Sequence, residues 1–151
     1  MLPPGPEAKP VPLIEQDFDQ TDGQLSPDGR WLAYVSNESI SNEVFVRSVS
    51  AGGSGLPVLG PSFVVSRGGG QKPRWRGDSR ELLYQTMTGT IMAAPIAVGS
   101  IGTPIELVRL TGILPDWGVS PDGQRLLVAI PTKPVAAPQF SVVLNWRSAL
   151  R

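Results

Sequence analysis

The chain has 151 residues, with 13 Lys plus Arg balancing 13 Asp plus Glu, and neither cysteine nor histidine. Disulfides, thiolate chemistry, Ser-His-Asp catalysis and histidine-based metal sites are thereby excluded. Balanced charge that is not gathered into a basic stripe gives no electrostatic footprint for nucleic acid.

Hydrophobic content of 40%, with 17 glycines and 16 prolines set between apolar runs, describes one globular domain of many short strands. Residues 1–12 hold five prolines and read as an extended segment. No apolar run approaches the ~18 residues of a membrane span, and the first residues lack a signal-peptide pattern. A protein that stays in the cytoplasm where it is made, with no membrane partner, is expected. Residues 11–16 alternate well enough for a strand, with Leu13 and Ile14 as its apolar content.

Asp17, Asp19 and Asp22 with Gly23 invite comparison with a calcium loop. That loop needs an oxygen ligand at its fifth place and a glutamate at its twelfth. Thr21 and Asp28 stand there, so loop-edge hydrogen bonding is the expected role, with an irregular cation site as the alternative.

The next stretch organises the rest of the chain. Ser26-Pro27-Asp28-Gly29 is a tight turn feeding the apolar run Trp31-Leu32-Ala33-Tyr34-Val35, and it recurs twice. The second copy is Arg76-Gly77-Asp78-Ser79 before Leu82-Leu83-Tyr84, and the third is Ser120-Pro121-Asp122-Gly123 before Leu126-Leu127-Val128. Proline presets φ, aspartate bonds back to the local backbone, and Gly29 and Gly123 tolerate the positive φ that leads into a strand. The residues four, five and six after each aspartate are all apolar, which predicts strands covered on both faces. The aspartates stand 50 and then 44 residues apart, close to the ~40–50 residue period of propeller blades.

Four strands fit in each period. We read 23–26, 31–36, 43–49 and 56–59 in the first, and 72–76, 81–87, 90–96 and 103–110 in the second. The third holds only 116–120, 125–130 and 139–146. No segment shows helical amphipathicity.

These turn-and-strand copies resemble the TolB-type β-propeller repeat. More narrowly, Asp17-Phe18-Asp19-Gln20-Thr21-Asp22-Gly23, Asn42-Glu43-Val44-Phe45-Val46-Arg47, Pro73-Arg74-Trp75-Arg76 and Val142-Val143-Leu144-Asn145-Trp146 resemble the C-terminal end of bacterial propeller regions often attached to serine/threonine protein kinase domains. The chain itself has no phosphate loop and no His-Arg-Asp catalytic loop. The resemblance spans roughly 13–151 and implies an all-β fold of three four-stranded blades, near 17–60, 61–111 and 112–146. Three blades do not close a ring that ordinarily needs about four to eight. Such a half-propeller is expected to pair as a C2 homodimer into a six-bladed propeller. Residues 11–16 would complete the partner's third blade, and apolar flanks at Trp31, Tyr34, Trp117 and Val128 would be hidden by the second copy.

Catalytic, cofactor and metal sites find no support. Lys9, Lys72 and Lys133 have no serine motif beside them, and Pro73 after Lys72 breaks any likeness of 68–72 to a phosphate loop. Asp28, Gly29, Asp78, Asp122 and Gly123 are read as turn-building residues. Arg74 and Arg76 share one face of a strand opposite Trp75, so they could grip an anion at a channel mouth or pair with acids of the next blade. With Asp17 and Asp19 they form the candidate channel contacts. The expected function is a non-enzymatic interaction module presenting loops and a channel to a protein or peptide. The alternatives are a ligand-sensing region of a kinase-linked receptor and a minimal propeller fragment with no activity of its own.

Overall fold

The computed structural model describes residues 11–53, 55–110, 112–130 and 139–144. The expected 131–138 connection and the ends 1–10 and 145–151 lie outside them. Every regular element described is a strand, and all pairings are antiparallel.

The first sheet is a meander of β1 (Gln20–Leu25), β2 (Trp31–Ser39), β3 (Ser41–Ala51) and β4 (Pro57–Val64). The second runs β5 (Gly70–Trp75), β6 (Glu81–Thr86) and β7 (Thr90–Ala97). The two-residue β8 (Ser100–Ile101) folds back on the end of β7, and β9 (Ile105–Arg109) pairs with the rest of it. The third holds β10 (Trp117–Val119), β11 (Arg125–Ile130) and β12 (Gln139–Leu144). The strand expected over 103–110 is shortened to β9 because Pro104 has no N–H for a ladder. Two residues before it, Gly102 bonds back to the Pro95 carbonyl.

The turns form as their residue types dictate. Gly29, Ser79 and Gly123 each donate their N–H to the carbonyl three residues back, and all three have positive φ (71°, 60° and 68°). Asp28 Oδ1 accepts the Ser26 hydroxyl at 2.6 Å and the Arg30 N–H at 3.1 Å, and Ser26 Oγ accepts the Trp31 N–H at 3.0 Å. The third copy repeats this with Gln124 N on Asp122 at 2.9 Å and Arg125 N on Ser120 Oγ at 3.0 Å. In the second copy Arg76 replaces the serine and bonds Asp78 and Glu81 instead.

The core lies between sheets. Trp31, Ala33, Val35, Val44 and Val46 of the first pack on Trp75, Leu82, Tyr84, Ala94 and Ile96 of the second. Leu83, Ile91 and Ala93 on its opposite face pack on Trp117, Leu126 and Val128 of the third. β6 is thus apolar on both faces because it has a sheet on each side, and each Leu so buried stabilises by about 1.5–3 kcal/mol.

One expectation is corrected. Trp31, Trp117 and Val128 are not flank residues: all three are buried within the single chain, Trp31 between the first two sheets, and Trp117 and Val128 between the second and third. Tyr34 does lie on the outer face of the first sheet, stacked on Phe45 beside Leu32, and Ile14, Val49 and Leu59 pack against that cluster. Within the single chain residues 11–16 form no strand. Pro12 cannot donate to a ladder, and Ile14 holds the segment by side-chain packing on the first sheet.

Candidate functional site

The first strands of the three sheets carry the residues singled out from sequence. β1 and β5 each bulge six residues before the turn aspartate, at Asp22 and Lys72, where φ is +53° and +52°. Such bulges re-aim a side chain out of the strand's alternation. Asp22 Oδ2 accepts the Lys72 N–H at 3.3 Å. Lys72 Nζ in turn reaches the Leu114 and Pro115 carbonyls at 2.5 and 2.7 Å. The equivalent third position is Asp116, which takes Arg74 at 3.0 Å.

Arg74 also donates to the Trp117 carbonyl at 3.2 Å and stands over the Trp117 ring, 5.9 Å from its centroid. Trp75, on the opposite face, donates its indole N–H to the Gln24 carbonyl at 3.1 Å. At the turn end, Asp28 N donates to Ser79 Oγ at 3.1 Å, and Gly77 N donates to the Pro121 carbonyl at 3.1 Å. Each junction between sheets is therefore tied at both ends of its first strand.

The electrostatics follow these ties. The Arg76 side chain bonding to Asp78 holds that carboxyl down at about 2. Asp116 lies below the usual carboxylate range, first because the Trp117 N–H donates to it and then through Arg74. Asp122 is lowered by the Ser120 hydroxyl and the Gln124 N–H. Burial pushes the Tyr84 phenol up to about 12, with the Glu43 charge adding to it.

The four candidate channel contacts do not converge. Arg74 is spent on the third sheet and Arg76 on its own turn. Asp17 and Asp19 are exposed, and Asp19 exchanges hydrogen bonds with Asn37 at 3.1 and 3.4 Å. Among the described residues no group of three or more His, Cys, Asp or Glu is placed to hold a metal ion, and no helix is long and apolar enough to cross a membrane.

One residue escaped the sequence reading. Glu43 is buried, and its Oε1 accepts the N–H groups of Gly68 and Gly69 at 3.0 and 2.9 Å. Its Oε2 takes the Ser66 hydroxyl, whose oxygen accepts the Val44 N–H at 2.7 Å. The carboxylate staples the first sheet to the glycine run leading into the second. Consecutive glycines at 68–70, able to present neighbouring N–H groups, were the available signal.

The repeat also exposes one face. Counting five residues from each turn aspartate gives Ala33, Leu83 and Leu127. The first two are 0% exposed, each covered by the following sheet, whereas Leu127 is 47% exposed. Leu127 and Ala129 line a depression of about 200 Å³ with Asp116, Trp117 and Gly118. At the other end of the chain, three residues before the aspartate, Leu25 is 59% exposed where Trp75 is 7%.

No family model matches the chain, and no curated protein matches it. Among solved structures it is similar to the crystal structure of TolB from Acinetobacter baumannii, with a TM-score of 0.43 and 11% identity. The match covers 87% of this chain and 42% of that one, so the chain spans less than half the length of the structure it matches.

Proposed function

We propose that the chain is a non-enzymatic interaction module of propeller type, its three sheets serving as blades and the far face of the third sheet serving as its docking surface. The observation that carries this reading is Leu127, nearly half exposed at the repeat position where Ala33 and Leu83 are wholly covered. At this position the repeat builds the contact between sheets, so Leu127 and the depression it lines with Ala129, Trp117 and Gly118 stand where a partner would pack. The chemistry of the first strands supports the same reading. Asp28, Asp78 and Asp122 are consumed in turns, and Arg74 and Lys72 in ties between sheets.

The test compares the full chain with its Leu127→Asp variant, each immobilised and exposed to an extract of its source cells. A protein retained by the wild type and lost by the variant, with the two melting together, supports a docking face. A variant whose melting temperature falls by many degrees at a dilution where the wild type is monomeric places Leu127 in the chain's own core and overturns the reading.

A further inference from the structure

Both internal junctions are built alike. One sheet offers the side chain five residues after its turn aspartate, and the next receives it with the residues four and six after its own. Ala33 shares a cluster with Leu82 and Tyr84, and Leu83 shares one with Leu126 and Val128. The chain therefore carries one offering face whose Leu127 is left exposed, on the third sheet, and one receiving face with no sheet against it among the described residues, on the first. That receiving face bears Leu32, Tyr34 and Phe45, with exposed Leu25 at its edge.

We propose that these two faces meet between two copies of the chain. The third sheet of one copy seats Leu127 on the Leu25–Leu32–Tyr34 face of the other, and the reverse contact closes a C2 pair of six sheets. The proposal rests on the interaction-module reading and names its partner. The occupant is a second copy because the Leu127 face of the third sheet and the Leu32–Tyr34 face of the first carry the same repeat positions as the two sides of each internal junction. Each internal junction already shows that such faces fit.

Ile14 now lies on the receiving face together with Val49 and Leu59. The seating displaces it. The segment is poorly tied: residues 11–18 make no hydrogen bond to any described residue, and the first tie is Asp19 N to Asn37. Ile14 itself stays partly exposed, and Leu13 beside it is exposed. Packing alone holds it, so it acts as a removable cover that sets the threshold for pairing.

The experiment is sedimentation equilibrium of the full chain from low to high micromolar concentration. It uses the wild type, Leu127→Lys, Leu25→Glu and Ile14→Ser, with circular dichroism melts confirming that each is folded. We expect a wild-type dimer, each of the first two substitutions weakening it at least about tenfold, and Ile14→Ser tightening it about tenfold. Mixing Leu127→Lys with Leu25→Glu restores a heterodimer, because one wild-type junction and one Lys–Glu junction then form.

A wild type and an Ile14→Ser variant that both stay monomeric overturn the proposal. So does a mixture that fails to pair although each single variant blocks. An Ile14→Ser variant that pairs more weakly shows Ile14 to be part of the interface, and overturns its displacement. Retention of a different protein by the Leu127 face, without self-association, leaves the module reading standing and removes this partner.

Discussion

Gly77 donates its backbone N–H to the Pro121 carbonyl at 3.1 Å, and a Cβ on Gly77 would stand 2.4 Å from that same oxygen. The second and third turns touch through a gap that only hydrogen fills. We expect Gly77→Ala to cost about 1–3 kcal/mol, the range for forcing extra carbon into a packed contact. Gly29→Ala has open space around its Cβ but keeps φ at +71°, so its cost is the ~1–2 kcal/mol of the left-handed conformation alone. Urea melts of the two variants separate clash from conformation. The packing account fails if Gly77→Ala melts with the wild type.

The Glu43 staple predicts a graded series. Glu43→Gln keeps the shape but loses the charge that strengthens the Gly68 and Gly69 bonds, and should cost about 1–3 kcal/mol. Glu43→Ala orphans those N–H groups together with the Ser66 hydroxyl and should cost more. Amide exchange at Gly68 and Gly69 checks the mechanism, since both amides should lose protection before the strands of the first sheet do.

Asp78 ties stability to acid. Its carboxyl ionises at about 2 in the folded chain against an ordinary 3.8, so the unfolded chain binds protons first as pH falls. The stabilisation it supplies is fully present above about 4 and is lost as pH falls from there toward 2. Asp78→Asn removes that component of the pH profile and leaves Arg76 paired only with Glu81. Chemical denaturation of both proteins at neutral pH and near pH 3 should show the gap between them narrowing in acid. A constant gap would mean that the Arg76 contact does not set the titration.

Leu83 and Leu127 are one repeat apart and carry opposite consequences. Leu83→Ala opens a cavity between two sheets and should cost about 2–5 kcal/mol. Leu127→Ala, on an exposed face, should change the stability of the monomer by no more than about 0.5 kcal/mol. Thermal melts at low micromolar concentration check both.

Much of the architecture was legible because local chemistry writes it. A Ser-Pro-Asp-Gly turn closes on its own side chains within five residues, and apolar residues on both faces of the following strand need no more than the sequence to predict cover on both sides. β2, β6 and β11 therefore stand close to where their turns place them. The rest depended on contacts the chain makes at a distance. Within the single chain the N-terminal segment packs on the outer face of the first sheet through Ile14, a contact that local alternation does not reveal. Arg74 and Arg76 alternate as expected, yet their ends are spent on Asp116, Asp78 and Glu81.

What the sequence by itself determined is the repeated unit: three turns, the strands they launch, and the absence of any histidine or cysteine chemistry. Periodicity and turn geometry act over a few residues, so they survive in one dimension. What only the tertiary structure decided is which copy of each equivalent residue is covered. Ala33, Leu83 and Leu127 occupy one place in the repeat, and burial separates them because two have a following sheet against them and the third has none among the described residues.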